Sequence, residues 1–208
     1  MIEYTKIPNI YRREAFGKNK LIEGSYSTLE LEYLKDADWE FTEKVDGTNI
    51  RVCWDGYRVS FMGRTDKAQI PAHLLKRLEE LFGGESKEEL FEQTFGKKEV
   101  ILFGEGFGEK IQKGGGLYGP ADFILFDVYI DGFWLASDAV CEIAETFEIK
   151  VVPYIFHGDL ESGVRFIKSH PMSLLRDSEM EGVVGRPMVQ MFSRTGERIM
   201  VKIKCRDF

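Results

Sequence analysis

Lys44 stands in the run Glu43-Lys44-Val45-Asp46-Gly47-Thr48-Asn49, directly after the alternating stretch Trp39-Glu40-Phe41-Thr42. Asp46-Gly47 is a turn dipeptide, and Ile50-Arg51-Val52-Cys53-Trp54 resumes period-two alternation, so a strand end delivers an amine into a tight corner. An amine so placed can act as a nucleophile on phosphorus. It can equally be a surface lysine beside a hairpin turn. Lys-x-Asp-Gly arises by chance in on the order of one chain in twenty of this length, so the rest of the sequence must decide.

Four further stretches carry residues that such chemistry would need. In Leu102-Phe103-Gly104-Glu105-Gly106-Phe107-Gly108 a carboxylate at a strand end is flanked by glycines that would admit a ligand close to the backbone. In Phe123-Ile124-Leu125-Phe126-Asp127-Val128 an aromatic residue precedes an acid, and Glu181-Gly182-Val183-Val184 repeats the acid-glycine-strand arrangement. Lys202-Ile203-Lys204 sets two ammonium groups two apart, hence on one face of a strand. Taken singly, Glu105 and Glu181 read as loop acids, Phe126 as core filler, and the two lysines as the wet face of an edge strand.

The elements that must position these residues are predominantly antiparallel. Strand signals recur at 39–44, 49–54, 57–62, 99–104, 123–130 and 198–204, with Asp55-Gly56 and Asp131-Gly132 as hairpin turns. Helices are expected from Pro71 to Phe82, from Ser86 to about Phe95 behind a Ser86-x-x-Glu89 capping box, and from Ser137 to Phe147. The glycine-rich stretch 113–120 lacks the order of a P-loop and reads as a mobile surface loop. The expectation is an α+β fold with antiparallel sheets flanked by helices, in one domain over residues 1–208.

Composition narrows the classes of function. The 208 residues are 43% hydrophobic and 30% charged, enough to bury a substantial core. No apolar run reaches membrane-spanning length and the start lacks a secretory pattern, so the cytoplasm is the expected location, with no membrane partner. Cys53, Cys141 and Cys205 are isolated and read as reduced, mostly buried thiols, while His73, His157 and His170 are too scattered for a zinc or Ser-His site. A net charge of −7 argues against indiscriminate coating of nucleic acid, although the tail from Arg186 is rich in Arg and Lys and could form a local positive funnel.

Taken in order, Lys-x-Asp-Gly, Gly-Glu-Gly, hydrophobic-Phe-Asp, Glu-Gly-Val-Val and Val-Lys-Ile-Lys resemble motifs I, III, IIIa, IV and V of the covalent nucleotidyltransferases, the superfamily of ATP-dependent ligases and mRNA capping enzymes. The chain looks most like the RNA ligase 2 family of bacteriophage and kinetoplastid editing ligases. That narrower match rests on Asn49, on Arg64 twenty residues after the lysine, on Glu105-Gly106-Phe107-Gly108 followed by Ile111-Gln112-Lys113-Gly114, and on the short start Tyr4-Thr5-Lys6.

The resemblance implies an ATP-dependent RNA ligase with a ligase-type nucleotidyltransferase fold. Lys44 would attack the α-phosphorus of ATP and carry AMP covalently, and RNA 3′-hydroxyl and 5′-phosphate or pre-adenylated ends would be joined. Phe126 would stack on adenine, Glu43 would help read its edge, and Glu105 with Arg64 would hold the ribose hydroxyls. Asn49 would contact the phosphate region, and Lys202 and Lys204 would face the α-phosphate and departing pyrophosphate. Mg2+, for which Mn2+ could substitute, would be bound by Glu181 through water, and by Asp46. A free lysine has a pKa of about 10.4, so the amine must be made neutral by burial and neighbouring cations, and the acids need a metal to take up their charge.

The resemblance leaves nothing after Lys204 for a separate carboxy-terminal domain. Self-adenylation and sealing of pre-adenylated strands are therefore expected to survive, with AMP transfer to a plain 5′-phosphate weak or assisted by a helper protein. For a phage member of the family the setting would be the host cytoplasm. The alternatives are a DNA-nick ligase or capping-type transferase, against which Asn49 argues, and a non-catalytic nucleotide- or RNA-end-binding module of the same fold.

Overall fold

The computed structural model of the chain describes residues 2–16 and 19–208. In chain order its strands and helices are β1 (Tyr11–Arg13), β2 (Leu21–Tyr26), α1 (Leu29–Tyr33), β3 (Trp39–Glu43), β4 (Thr48–Trp54), β5 (Val59–Gly63), α2 (Ala72–Phe82), α3 (Glu85–Phe95) and β6 (Val100–Phe107). There follow β7 (Asp122–Ile130), β8 (Phe133–Trp134), α4 (Ser137–Thr146), β9 (Lys150–Val151), β10 (Tyr154–Gly158), α5 (Leu160–Lys168), β11 (Gly182–Pro187) and β12 (Val201–Lys204). The fold is α+β, as expected, and it divides into two compact units.

The first unit comprises Met1–Tyr4 and Asp46–Val152. Its sheet runs β5-β4-β6-β7-β8, antiparallel throughout, with β9 added parallel to β7. Alternation along β4 sends Ile50, Val52 and Trp54 to one face, where they join Leu74, Leu78 and Phe82 of α2 and Phe91 and Phe95 of α3 in an aromatic-rich core. The i, i+4, i+8 spacing of the α2 residues makes that helix amphipathic. The opposite face carries Cys53, Ile101 and Phe103 with Tyr4, Phe126 and Trp134 against them.

The second unit comprises Thr5–Val45 and Pro153–Phe208. Its four-stranded antiparallel sheet runs β10-β3-β11-β12. Trp39 and Phe41 of β3 and Val201 and Ile203 of β12 face a core completed by Leu160, Val164 and Ile167 of α5. α5 opens on Asp159, whose Oδ1 accepts from Ser162 N–H at 2.7 Å.

Three sequence expectations are corrected. α3 starts one residue early, at Glu85, with Gly84 as its cap and no side-chain capping bond, so Ser86 lies inside the helix and the Ser86–Glu89 box does not form. β6 continues through Gly104, Glu105 and Gly106 to Phe107, which puts Glu105 within the strand rather than at its end. The two glycines face the core: a Cβ would lie 2.2 Å from the Phe123 ring at Gly104 and 2.4 Å from Leu74 Cδ2 at Gly106, so packing within the unit is what excludes a side chain there.

Candidate active site

In the second unit the corner after β3 is held by its backbone, since Lys44 N–H donates to Gly182 O at 2.9 Å. This brings Lys44 beside the residue that precedes β11, and Lys44 Nζ meets Glu181 Oε2 at 2.5 Å. Glu181 Oε1 lies 3.8 Å from Lys204 Nζ, so one carboxylate sits between two ammonium groups. On β12 Val201 and Ile203 are buried while Lys202 and Lys204 take the other face, as two-residue spacing requires. Gly182 has φ +155, and a Cβ there would meet Ile203 O at 2.1 Å, so only glycine lets β11 start this close to β12.

The charges are unbalanced. Burial first, then Lys204, Lys44 and Lys6, push the Lys202 pKa down from 10.5 to about 8. Lys204 is also lowered, chiefly by burial, with Glu181 opposing the shift. Lys6, to which no role was given from the sequence, reaches this group because its segment runs alongside β12: Lys202 N–H donates to Pro8 O at 2.9 Å and Ile10 N–H to Lys202 O at 3.2 Å. A polyanion placed here would relieve cation repulsion as it bound.

Glu43 is buried, and its carboxylate turns to the 171–181 stretch, accepting from the Ser173 hydroxyl and from Leu174 N–H at 2.9 Å. Its visible task is to fix the segment that leads to Glu181. Ser173 carries no sequence signal for this role, because a single serine in an irregular stretch resembles any other.

The first unit holds the remaining candidates, with Asn49, Glu105 and Phe126 on one sheet face. Asn49 of β4 pairs with Glu105 of β6. The register of β6 with β7 jumps from Phe103–Asp127 to Gly104–Leu125, which leaves Phe126 as the extra residue of a β-bulge. Phe126 is half-buried and packs on the same side as Phe103. Arg64 is exposed one residue beyond Gly63, the partner of Ile50.

Asp46 opens this unit, with its backbone N–H donating to Tyr118 Oη at 3.1 Å, and Gln112 Nε2 donates to Gly47 O at 3.1 Å. The stretch expected to be a mobile loop, 113–120, thus contains a short 3-10 turn at Gly115–Tyr118 tied to the Asp46-Gly47 corner.

Asn49 Oδ1 is buried and has no hydrogen-bond partner among the described residues. Buried acceptors are nearly always satisfied. This one fits a ligand that brings a donor, such as a ribose hydroxyl or a metal-bound water, whereas a phosphate oxygen would need the other end of the amide. Among the described residues no cluster of three or more His, Cys, Asp or Glu could hold a metal ion by itself.

A family model for RNA ligase matches residues 37–204. The chain belongs to the RNA ligase family. Its fold is similar to that of the Naegleria gruberi RNA ligase: an apo point mutant of that enzyme superimposes with a TM-score of 0.68 at 20% identity over 99% of this chain and 56% of that one. The same enzyme with PPi gives a TM-score of 0.67 at 20% identity over 98% of this chain and 56% of that one. A further point mutant with AMP and Mn gives 0.68 at 19% identity over 98% and 56%. The chain thus spans a little over half the length of these structures. No curated protein sequence matches it. Among its described residues no helix is long and apolar enough to cross a membrane.

Proposed function

We propose that the chain is an ATP-dependent RNA ligase working through a lysyl-AMP intermediate on Lys44. The observation that carries this reading is the contact of Lys44 with Glu181, itself next to Lys204, on a sheet where burial and crowding of cations lower the Lys202 pKa. A triphosphate is the ligand class that suits several ammonium groups set against one acid. AMP and Mn in one similar structure, and PPi in another, agree with this chemistry.

In the first step Lys44 Nζ attacks the α-phosphorus, the P–N bond forms, and the P–O bond to pyrophosphate breaks. The amine must shed a proton, and Glu181 Oε2 is its nearest carboxylate acceptor. Lys202 and Lys204 supply positive charge as it builds on the leaving pyrophosphate. An RNA 5′-phosphate oxygen then attacks the lysyl-bound phosphorus, releasing the amine and forming a 5′–5′ anhydride. Last, a 3′-hydroxyl attacks the RNA 5′-phosphate and AMP departs.

A hydrated Mg2+ or Mn2+ would be held by Glu181 through water and by the nucleotide's phosphates, and it supplies charge neutralisation at phosphorus. Asp46 as a second ligand rests on the motif resemblance alone. In the first unit Phe126 would stack on adenine, Glu105 and Arg64 would hold the ribose, and Asn49 Oδ1 would accept from a ribose hydroxyl or a metal-bound water. For Glu43 the buried contacts favour anchoring of the 171–181 segment over reading of the adenine edge.

The test is incubation with Mg2+ and α-labelled ATP or GTP, followed by denaturing electrophoresis of wild type and Lys44→Ala. Label retained from ATP by wild type alone is the expected result, and wild type that never gains an adenylyl group sinks the proposal. Nicked RNA compared with nicked DNA, and pre-adenylated with plain 5′-phosphate ends, then define the strand chemistry.

A further inference from the structure

Arg51 is fully buried, and its guanidinium nitrogens reach the last residue of β5 and two residues outside the strands. Nε donates to Gly63 O at 2.9 Å, Nη1 to Ile2 O at 3.1 Å, and Nη2 to Asp66 Oδ1 at 2.8 Å. All four residues belong to the first unit. A charge with no exposure is costly unless paired and hydrogen-bonded, and its β4 neighbours Ile50, Val52 and Cys53 are apolar. An aliphatic side chain would have filled the position without that cost. The arginine is therefore best explained by what its three arms fix.

One arm pair fixes the turn after β5. Gly63 and Asp66 flank Arg64, so the guanidinium clamps that turn on both sides of the residue assigned to the ribose. The third arm fixes the amino-terminal segment through Ile2. Two residues on, Tyr4 Oη donates to Asp127 Oδ2 at 2.8 Å, and the Tyr4 ring stands edge-on to Phe126 with centroids 5.0 Å apart. Phe126 is the bulged residue of β7 and lacks a cross-strand partner in the ladder, so its orientation depends on such lateral packing.

We propose that Arg51 is a positioning residue for the nucleoside, holding the Phe126 platform through the Ile2–Tyr4 segment and the Arg64 turn through Gly63 and Asp66. This rests on the reading that Phe126 and Arg64 receive the adenosine of ATP. Arg51 itself touches no substrate. Its effect falls on nucleoside affinity and ribose discrimination, while the phosphate chemistry at Lys44 keeps its own rate.

The experiment measures KM and kcat for self-labelling with ATP and with dATP in wild type, Asp66→Ala, Arg51→Lys and Arg51→Met, alongside each protein's melting temperature. Asp66 has a side chain 59% exposed, so Asp66→Ala cuts one arm without opening the core. The expected result is a KM for ATP raised about tenfold in Asp66→Ala, the scale of one charge-assisted hydrogen bond, with kcat within about twofold and the preference for ATP over dATP narrowed.

Arg51→Lys should recover part of what Arg51→Met loses. If Arg51→Met fails to fold, Asp66→Ala decides alone. A folded Asp66→Ala with wild-type KM and wild-type ATP-to-dATP ratio overturns the inference and leaves the ligase reading intact. Wild type that takes no label overturns both.

Discussion

The two units hold their functional candidates by different physics. In the first, Asn49, Glu105 and Phe126 lie on a sheet face backed by an aromatic-rich core, and the buried cation Arg51 is hydrogen-bonded on every arm. In the second, Lys44 and Lys204 share the carboxylate Glu181, and burial with repulsion from the neighbouring lysines disfavours the charge of Lys202. A nucleoside needs a shaped, rigid surface, whereas phosphoryl transfer needs charge that is poised and incompletely satisfied.

The sharpest break of this comparison is a cavity in the first unit. Phe91 stacks on Trp54 and packs at a tilt against Phe147 in the core, and Phe91→Ala should cost about 3–5 kcal/mol by denaturant titration. The alkaline fall in activity assigned below to Lys202 should stay at the same pH in that variant. A fall that moved with Phe91 would show that the charge cluster is not set by its own unit.

Next in size is the acid beside Lys44 and Lys204 in the second unit. Glu181→Gln keeps the shape of the side chain and removes the charge between Lys44 and Lys204. Self-labelling should fall about a hundredfold, typical of losing a proton-accepting or metal-orienting carboxylate, with the first unit's melting unaffected. Wild-type labelling in Glu181→Gln would remove Glu181 from the chemistry.

A smaller effect is expected at Gly47, where a Cβ would lie 2.3 Å from Gly106 O. Gly47→Ala should cost about 1–3 kcal/mol through overpacking against backbone, measured as a lower melting temperature. A neutral Gly47→Ala would show that the corner yields more freely than the packed sheet beside it.

The smallest effect has the opposite sign. Lys202 has its folded pKa lowered to about 8, so the folded state resists a charge that the unfolded chain accepts freely. That cost is present in full below pH 8 and fades as pH rises toward the ordinary lysine value. Lys202→Met should therefore raise stability by about 1 kcal/mol at pH 7 after allowing for solvent screening, with the gain shrinking above pH 8, while labelling weakens. In activity the sign reverses: wild type loses the Lys202 charge above about pH 8, and Lys202→Arg should extend labelling to higher pH.

Much of the fold was legible because local periodicity and turn chemistry suffice for it. Leu74, Leu78 and Phe82 announce α2, Val140, Ile143 and Ala144 announce α4, and the alternation around Asp55-Gly56 gives the β4–β5 hairpin. α5 is not among the helices expected from the sequence, although Asp159 with Leu160, Val164 and Ile167 carries both a cap and an apolar stripe. The supposed capping box at Ser86 failed because Gly84 already accepts from Lys87 and Glu88 N–H, so the helix begins before the serine. Among the residues singled out from the sequence, Lys44, Glu181, Lys202 and Lys204 lie together in the second unit, and Glu43 makes a buried contact with the 171–181 segment.

Sequence alone determined which residue types stood at strand ends and faces, because a two-residue period and a glycine turn are local constraints on backbone and solvent exposure. Tertiary structure decided the partners. Lys44 meets an acid 137 positions away, and the buried Arg51 gathers Ile2, Gly63 and Asp66 into one network. Pairings of that kind depend on burial and on register across strands distant in the chain, and no local window of sequence contains them.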